Sequence, residues 1–297
     1  MTASPFVEGS QLQYAWDATS LTALKTCPRK YQLSILEGWR SRGEALPLTF
    51  GSAIHKAMEH FHKRKAAGAE HDENLRTTIR ETAFSPVEVD SYRNIHTLER
   101  TIVWYLDQFK DDPAEVIILA NGKPAVELSF RFHTDFSVAD EPVILCGHLD
   151  RVVSLNGTVW VNDYKTTKRG LYDDYFSGFS PDNQMTLYTL AARIVFDAPA
   201  NGVLIDAIQI GVGFSRFQRG FTLRTPDQLD EWYEDLGVWL GQAELYATVG
   251  HWPMNDSACG LYGGCTFRGI CSKDAALRER FLEANFVKRK WNPLEIR

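Results

Sequence analysis

Asn156 and Gly157 stand between two long apolar runs, PVILCGHLDRVVSL and TVWVNDYKT, and this pair restricts the fold more than any other feature. Asn-Gly enters the left-handed region readily, which a two-residue hairpin turn requires. The runs are therefore read as antiparallel strands whose register the turn sets, with Asp150 opposite Asp163. Side chains alternate along a strand, so Asp163 and Lys165 share a face with Val159 and Val161, while Trp160, Asn162 and Tyr164 face the other way. Two carboxylates and a lysine thus converge on one patch. Neighbouring acids repel and call for a cation, and oxygen ligands suit Mg2+ or Mn2+. A lysine beside them can orient water and meet charge on a phosphate, the equipment of metal-assisted phosphodiester hydrolysis. The same residues would also serve as a cross-strand salt bridge on a solvated face.

Around the hairpin the periodicity predicts a helix starting at a Ser20 cap, with Pro28 early in a second short segment, and a helix over 52–67 with Ile54, Met58 and Phe61 on one stripe. A third helix is expected over 91–110, carrying Ile95, Leu98, Ile102, Leu106 and Phe109. EVIILA and AVELSFRF read as strands ahead of the hairpin. A helix over 182–197, a strand VLIDAIQIGVGFSR pairing with FTLRT, and a helix over 226–248 follow. The fold class is mixed α/β (α+β), a central mixed sheet with flanking helices. The expected division is a flexible terminus over 1–18 and one domain over 19–272, with a basic tail over 273–297. That domain splits into a helical part over 19–112, a core over 113–225, and a C-terminal helix with a cysteine cluster over 226–272.

Lys plus Arg number 32 against 38 Asp plus Glu, for a net charge of −6, which excludes a bulk-basic coat for nucleic acid but leaves room for a local groove. No apolar run approaches the ~20 residues that span a bilayer. The first residues lack a secretion signal, so a reducing cytoplasm is the expected compartment. There, clustered cysteines are metal ligands more often than disulfides.

The ordered series GSAIH (His55), GHLD (Asp150), DYK (Asp163, Lys165) and QMTLY (Gln184, Tyr188) resembles the PD-(D/E)XK nuclease superfamily in its RecB-type exonuclease branch. The resemblance implies a restriction-endonuclease-like core. It implies that His55, Asp150, Asp163 and the backbone carbonyl of Tyr164 bind the metal, that Lys165 acts on the attacking water, and that Gln184 and Tyr188 support the site and contact DNA. Leu149 stands where the superfamily has its proline. Glu127, two residues before Ser129 and four before Arg131, is read as a surface pair in preference to an accessory acid. His148 shares the face of Asp150, and His60 and His62 are expected on solvated or packed helix surface.

Of five cysteines, Cys259, Cys265 and Cys271 form a Gly-rich array with five residues between neighbours. Three thiolates leave a four-ligand site one short, and Cys27 is the natural fourth. Cys146 reads as core. RecB-type nucleases that carry a [4Fe–4S] cluster, similar to the CRISPR-associated RecB-type exonuclease and the AddB nuclease domain, have one cysteine before the core and three after it. The resemblance thus implies a structural iron–sulfur staple across the helical N- and C-terminal regions. A four-thiolate zinc site would use the same ligands.

Lys168 and Arg169 are the first candidates for DNA contact, followed by Arg29, Lys30, Arg216, Arg219 and the run Lys288 to Lys290. Trp16, Tyr172, Tyr175, Phe176 and Phe179 could stack on unpaired bases, and 170–180 is the expected substrate flap. The expected function is a metal-dependent DNA exonuclease acting on single strands or ends in recombination, repair or phage DNA metabolism. A non-catalytic DNA-binding or assembly protein of the same fold, or a CRISPR adaptation nuclease, are the alternatives. No phosphate-binding P-loop is visible, so any helicase activity would come from a partner such as a helicase or recombination protein.

Overall fold

The hairpin forms as its turn dictates. In a computed structural model describing residues 4–42, 46–85 and 90–295, Asn156 and Gly157 adopt φ of 52° and 76°. Strands β5 (Glu141–Leu155) and β6 (Thr158–Thr167) pair antiparallel, with Arg151 opposite Asn162 and Leu155 opposite Thr158. Asp150 and Asp163 are the next positions along this ladder, as the turn centre requires.

The chain forms two compact units interleaved in sequence. The larger comprises Glu44–Phe130 and His148–Leu229, the smaller Met1–Gly43, Arg131–Gly147 and Asp230–Ile296. Strand β4 spans Val126–Val138.

In the larger unit the sheet is mixed. Strand β6 pairs parallel with β7 (Ala200–Gly211), which pairs antiparallel with β8 (Phe214–Leu223). The chain reverses at Val212-Gly213, where Gly213 has φ of 81°, so the break falls earlier than the apolar run suggested. Of EVIILA only Glu115–Val116 (β3) is strand, paired with β5. Helices α3 (Leu46–Ala66), α4 (His71–Thr82) and α5 (Ile95–Gln108) belong to this unit. Ile54, Met58 and Phe61 of α3 and Leu98, Ile102 and Tyr105 of α5 pack with Tyr164, Ile208 and Ile210 of the sheet. This cluster holds α3, and with it His55, against β6. The crossover from β6 to β7 carries α6 (Asp173–Ser177) and α7 (Asn183–Phe196), the latter capped by Asp182 through the Met185 amide.

In the smaller unit, helix α1 (Ala18–Thr26) is capped by Asp17, and Ser20 closes the reciprocal bond of the capping box instead of being the cap. Pro28 opens α2 (Pro28–Tyr31) at the position where its missing N–H does no harm. The expected loose terminus is packed from at least Gln13. Ala15–Trp16 forms β1, parallel to β5, and the buried Gln13 amide donates to Ala15 O and Ser20 Oγ while accepting from Tyr31 Oη. The expected basic tail is folded too. Helix α9 (Arg268–Cys271) and α10 (Ala275–Asn285) lead to a strand, Phe286–Lys288 (β9), paired with Trp39–Ser41 (β2). Leu282 and Phe286 give it a core with Leu33, Trp39, Phe267 and Ile270. The polar composition of both termini concealed these few anchoring residues. Residues 1–3 and 296–297 of these segments lie outside the described residues. Helix α8 spans Pro226–Val249, and among the described residues no helix is long and apolar enough to cross a membrane.

Candidate active site

Asp150 is fixed from two elements. Its Oδ2 accepts from the Tyr164 amide at 3.0 Å, a bond that the hairpin register delivers. Its Oδ1 lies 3.2 Å from His55 Nδ1, and His55 Nε2 donates to the Tyr164 carbonyl at 3.0 Å. One imidazole on α3 therefore spans a carboxylate and a backbone oxygen on adjacent strands. Burial pulls the imidazole toward neutrality, but the carboxylates of Asp150 and Asp163 outweigh it and hold His55 up at about 9.

The third member is Glu127, which sequence reasoning assigned to the surface. It is buried, and one ligand atom each from His55, Glu127 and Asp150 lie within 4.8 Å of one another, the only such trio of metal-binding side chains among the described residues. Glu127 has φ of 49°, so Val126 and Glu127 are both buried, and the period-two alternation that would have placed it fails at that residue. The two carboxylates and the Tyr164 carbonyl offer the oxygen donors that Mg2+ or Mn2+ takes, and the His55 imidazole adds a nitrogen donor of the kind that softer divalent ions prefer.

Asp163 stands apart from that trio, buried and paired with Lys165, Oδ2 to Nζ at 2.5 Å. Lys165 Nζ also donates to Gln184 Oε1 at 3.0 Å, and Gln184 Nε2 donates to Tyr188 Oη at 2.9 Å. The four-residue spacing on α7 makes the last bond possible. Burial raises Asp163, and Asp150 adds to this, whereas His55, Lys165 and the Tyr164 amide outweigh burial and lower Asp150. The two acids are thus driven apart in proton affinity. Lys165 is held charged by Asp163 against its own burial.

Beneath the hairpin, on the Tyr164 side, lies a buried ion network that the sequence did not suggest. Arg219 donates to Asp206 Oδ1 at 2.6 Å and to both oxygens of Asp112 at 2.8 and 2.9 Å. Arg151 donates to Asn162 Oδ1, and Asn162 and Tyr105 donate to Asp206 Oδ2. His62 is buried here beside Arg151 and is held neutral by burial and by that arginine. Arg219 therefore faces inward and is withdrawn from the DNA candidates.

Lys168 and Arg169 are engaged as well. Lys168 lies over the Tyr92 ring at 4.0 Å and 3.4 Å from Asp90, and Arg169 pairs with Asp174 at 3.1 Å. His148 Nδ1 bonds Ser129 Oγ at 3.0 Å, and His60 pairs with Glu81. The 170–180 segment is tied down at its end. Thr222 and Arg224 donate to the Phe179 carbonyl, and Phe176 covers Gly220.

In the smaller unit all five cysteines are free thiols. Asn255 links two of them, its amide donating to Cys27 Sγ at 3.4 Å and its carbonyl accepting from Cys259 Sγ at 3.9 Å. Cys265 and Cys271 pack on the Phe267–Phe286 cluster, and Cys271 is close enough to Cys265 and Cys27 for their charges to act on it. Cys27, Cys259, Cys265 and Cys271 thus lie near one another within the smaller unit, and four thiolates are the donor number that a four-cysteine cluster takes. Cys146 is apart from them and buried, its thiol donating to Trp16 O.

No match was found among curated proteins. Among solved structures the chain is similar to a candidate exonuclease from Eubacterium rectale, at 10% identity and a TM-score of 0.49, covering 82% of this chain and 85% of that one. It is also similar to SSO0001, at 12% identity and a TM-score of 0.36, covering 87% and 86%. Residues 15–272 match the sequence profile of the PD-(D/E)XK nuclease superfamily, and the span includes every residue of the site built above: the chain belongs to that superfamily.

Proposed function

We propose that this nuclease is a metal-dependent DNA exonuclease of the RecB-type branch, hydrolysing phosphodiester bonds in single strands or at DNA ends, in recombination, repair or phage DNA metabolism. The observation that carries the reading is the adjacency of two sets of groups. His55, Glu127 and Asp150 with the Tyr164 carbonyl form one, and the chain Asp163–Lys165–Gln184–Tyr188 forms the other. The first set, with Asp163, would hold Mg2+ or Mn2+. When bound, the ion supplies Lewis-acid stabilisation for charge growing on the phosphodiester.

The second set holds Lys165 in place. Asp163 keeps its ammonium charged, and Gln184 fixes its direction. From there Nζ can donate to the attacking water and to a non-bridging phosphate oxygen as charge builds. Tyr188 orients Gln184, and both stand within reach of a bound strand.

Cys27, Cys259, Cys265 and Cys271 would hold a [4Fe–4S] cluster with a structural role. The nearness of these cysteines to one another, and the docking of residues 26–31 on 252–255, support this. In that docking Arg29 donates to the Trp252 and Pro253 carbonyls and Asn255 Nδ2 to Thr26 O.

The test is anaerobic purification followed by digestion of end-labelled single- and double-stranded DNA with Mg2+ and Mn2+. Asp150→Ala and Lys165→Ala are each expected to abolish cleavage. Undiminished cleavage by both variants would refute the assignment. The cluster predicts absorbance near ~400 nm, and a colourless zinc-loaded preparation would overturn that part.

A further inference from the structure

The ladders of the larger unit continue past the candidate site. Cross-strand partners share a face, and so do residues two apart on a strand. Asp163, Ile205 and Gly220 form one row, and Lys165, Ala207 and Gln218 the next. Thr167, Gln209 and Arg216 form the third row, on the same face, and Gly211 and Phe214 end it. Two residues along a strand advance about 7 Å.

The third row is built as a binding surface. Gln209 is only 8% exposed, yet its Oε1 has no hydrogen-bond partner among the described residues. A buried acceptor of this kind calls for a donor. Beside it Phe214 lies flat over Gly211, where an added Cβ would collide with the ring. The exposed Arg216 guanidinium sits 5.1 Å from that ring, presenting a cationic plane next to Gln209. Phosphates and internal deoxyriboses of DNA carry no N–H or O–H, so among the groups of a bound strand a base edge is the one that can donate here.

We infer that Thr167, Gln209 and Arg216, with Phe214 at their end, form a base-reading subsite for an unpaired nucleotide within about two nucleotides of the scissile phosphate. Gln209 accepts a hydrogen bond from the base edge, and Arg216 stacks on the base or meets its phosphate. This rests on the nuclease reading and adds that the strand is single where it crosses β7 and β8.

The test walks one abasic residue through a single-stranded substrate and measures kcat/KM at each position. For the wild-type chain one position near the scissile bond is expected to lose about tenfold, the effect of one hydrogen bond to a buried acceptor. Gln209→Met should show a similar loss on intact DNA and little further loss at the abasic position. Arg216→Ala, at an exposed site that does not threaten folding, should also flatten the profile. A wild-type enzyme that cuts DNA but is indifferent to the abasic residue everywhere overturns the subsite alone. So does Gln209→Met with an unchanged profile. A wild-type chain that cuts no DNA in Mg2+ or Mn2+ overturns the nuclease reading and the subsite with it.

Discussion

Around Asp150 and Asp163 the protein supplies its own counter-charges, with His55 3.2 Å from one carboxylate and Lys165 2.5 Å from the other. Around Cys271 burial outweighs Arg29 and Arg278 and keeps the thiol protonated. The carboxylate site is therefore wired by hydrogen bonds and paired with cations before any ligand arrives. On the proposed reading, ligation displaces thiol protons and is coupled to folding. The first site would then keep its shape without an ion, whereas the second would draw stability from the cluster.

The largest expected effect breaks the first half of this contrast. Lys165→Ala or Asp150→Ala should lower kcat by roughly 100- to 10,000-fold, the range for a positioned proton-transfer or charge-stabilising group. Chelation of divalent ions should do the same. On chelation the melting temperature should hardly move. A large fall in melting temperature on chelation would show that the carboxylates need the ion to fold. Cys27→Ser tests the second half. On the proposed cluster reading it should remove the iron chromophore and lower the melting temperature by roughly 10 °C, since a structural metal site contributes several kcal/mol and each one shifts a chain of this size by a few degrees. Proteolysis should open first near residues 252–272. Unchanged melting would mean that the docking bonds of Arg29 and Asn255 suffice.

The contrast also explains what could be read in the sequence. The hairpin register was legible because one Asn-Gly turn sets it and strand alternation does the rest. The Gln184–Tyr188 bond was legible because helical spacing puts both on one side. Glu127 was hidden by its left-handed backbone, which breaks the alternation that predictions use. The Asp112–Arg151–Asp206–Arg219 network joins residues 107 apart in sequence at its longest bond, and no local pattern marks such a pairing. The cysteine array and the family resemblance led to the proposal of a common ligand for the four cysteines. Their docking through Trp252, Pro253 and Asn255 depends on backbone carbonyls and an amide, which carry no residue signature.

That network carries the self-neutralising habit of the larger unit into its core. Arg219→Met leaves Asp112 and Asp206 buried with one cation fewer and should destabilise by about 3–5 kcal/mol, read by denaturant unfolding. Asp112 gives the pH dependence. Burial raises it, but bonds from Arg219 and the Ala114 amide outweigh this and hold it below the ordinary 3.8. Its contribution is therefore complete above that value and is lost as pH falls through the lowered one. Asp112→Asn should be less stable at neutral pH and lose less on acidification below 4. Parallel acid limbs for variant and wild type would remove Asp112 from the account.

The smallest effect concerns Lys168, where an acid of the protein occupies a cation suited to DNA. Asp90 lies 3.4 Å from its ammonium and Tyr92 lies beneath it, both on the surface. Exposed pairs of this kind contribute about 0–1 kcal/mol, so Lys168→Ala should barely alter stability. Binding is the better probe, because Asp90 sits where a phosphate could sit. If the pair opens for DNA, Asp90→Asn removes the competitor. Affinity for a single strand should then rise at low salt, and the slope of log affinity against log salt should steepen by up to about 0.7, the value for one further phosphate contact on unpaired DNA. Lys168→Ala should remove that gain. An unchanged slope in Asp90→Asn would mean that Lys168 faces no phosphate and that its charge serves only to hold the 90–92 segment. The acid would then be a structural partner of the lysine, as Asp163 is of Lys165, and not a stand-in for substrate.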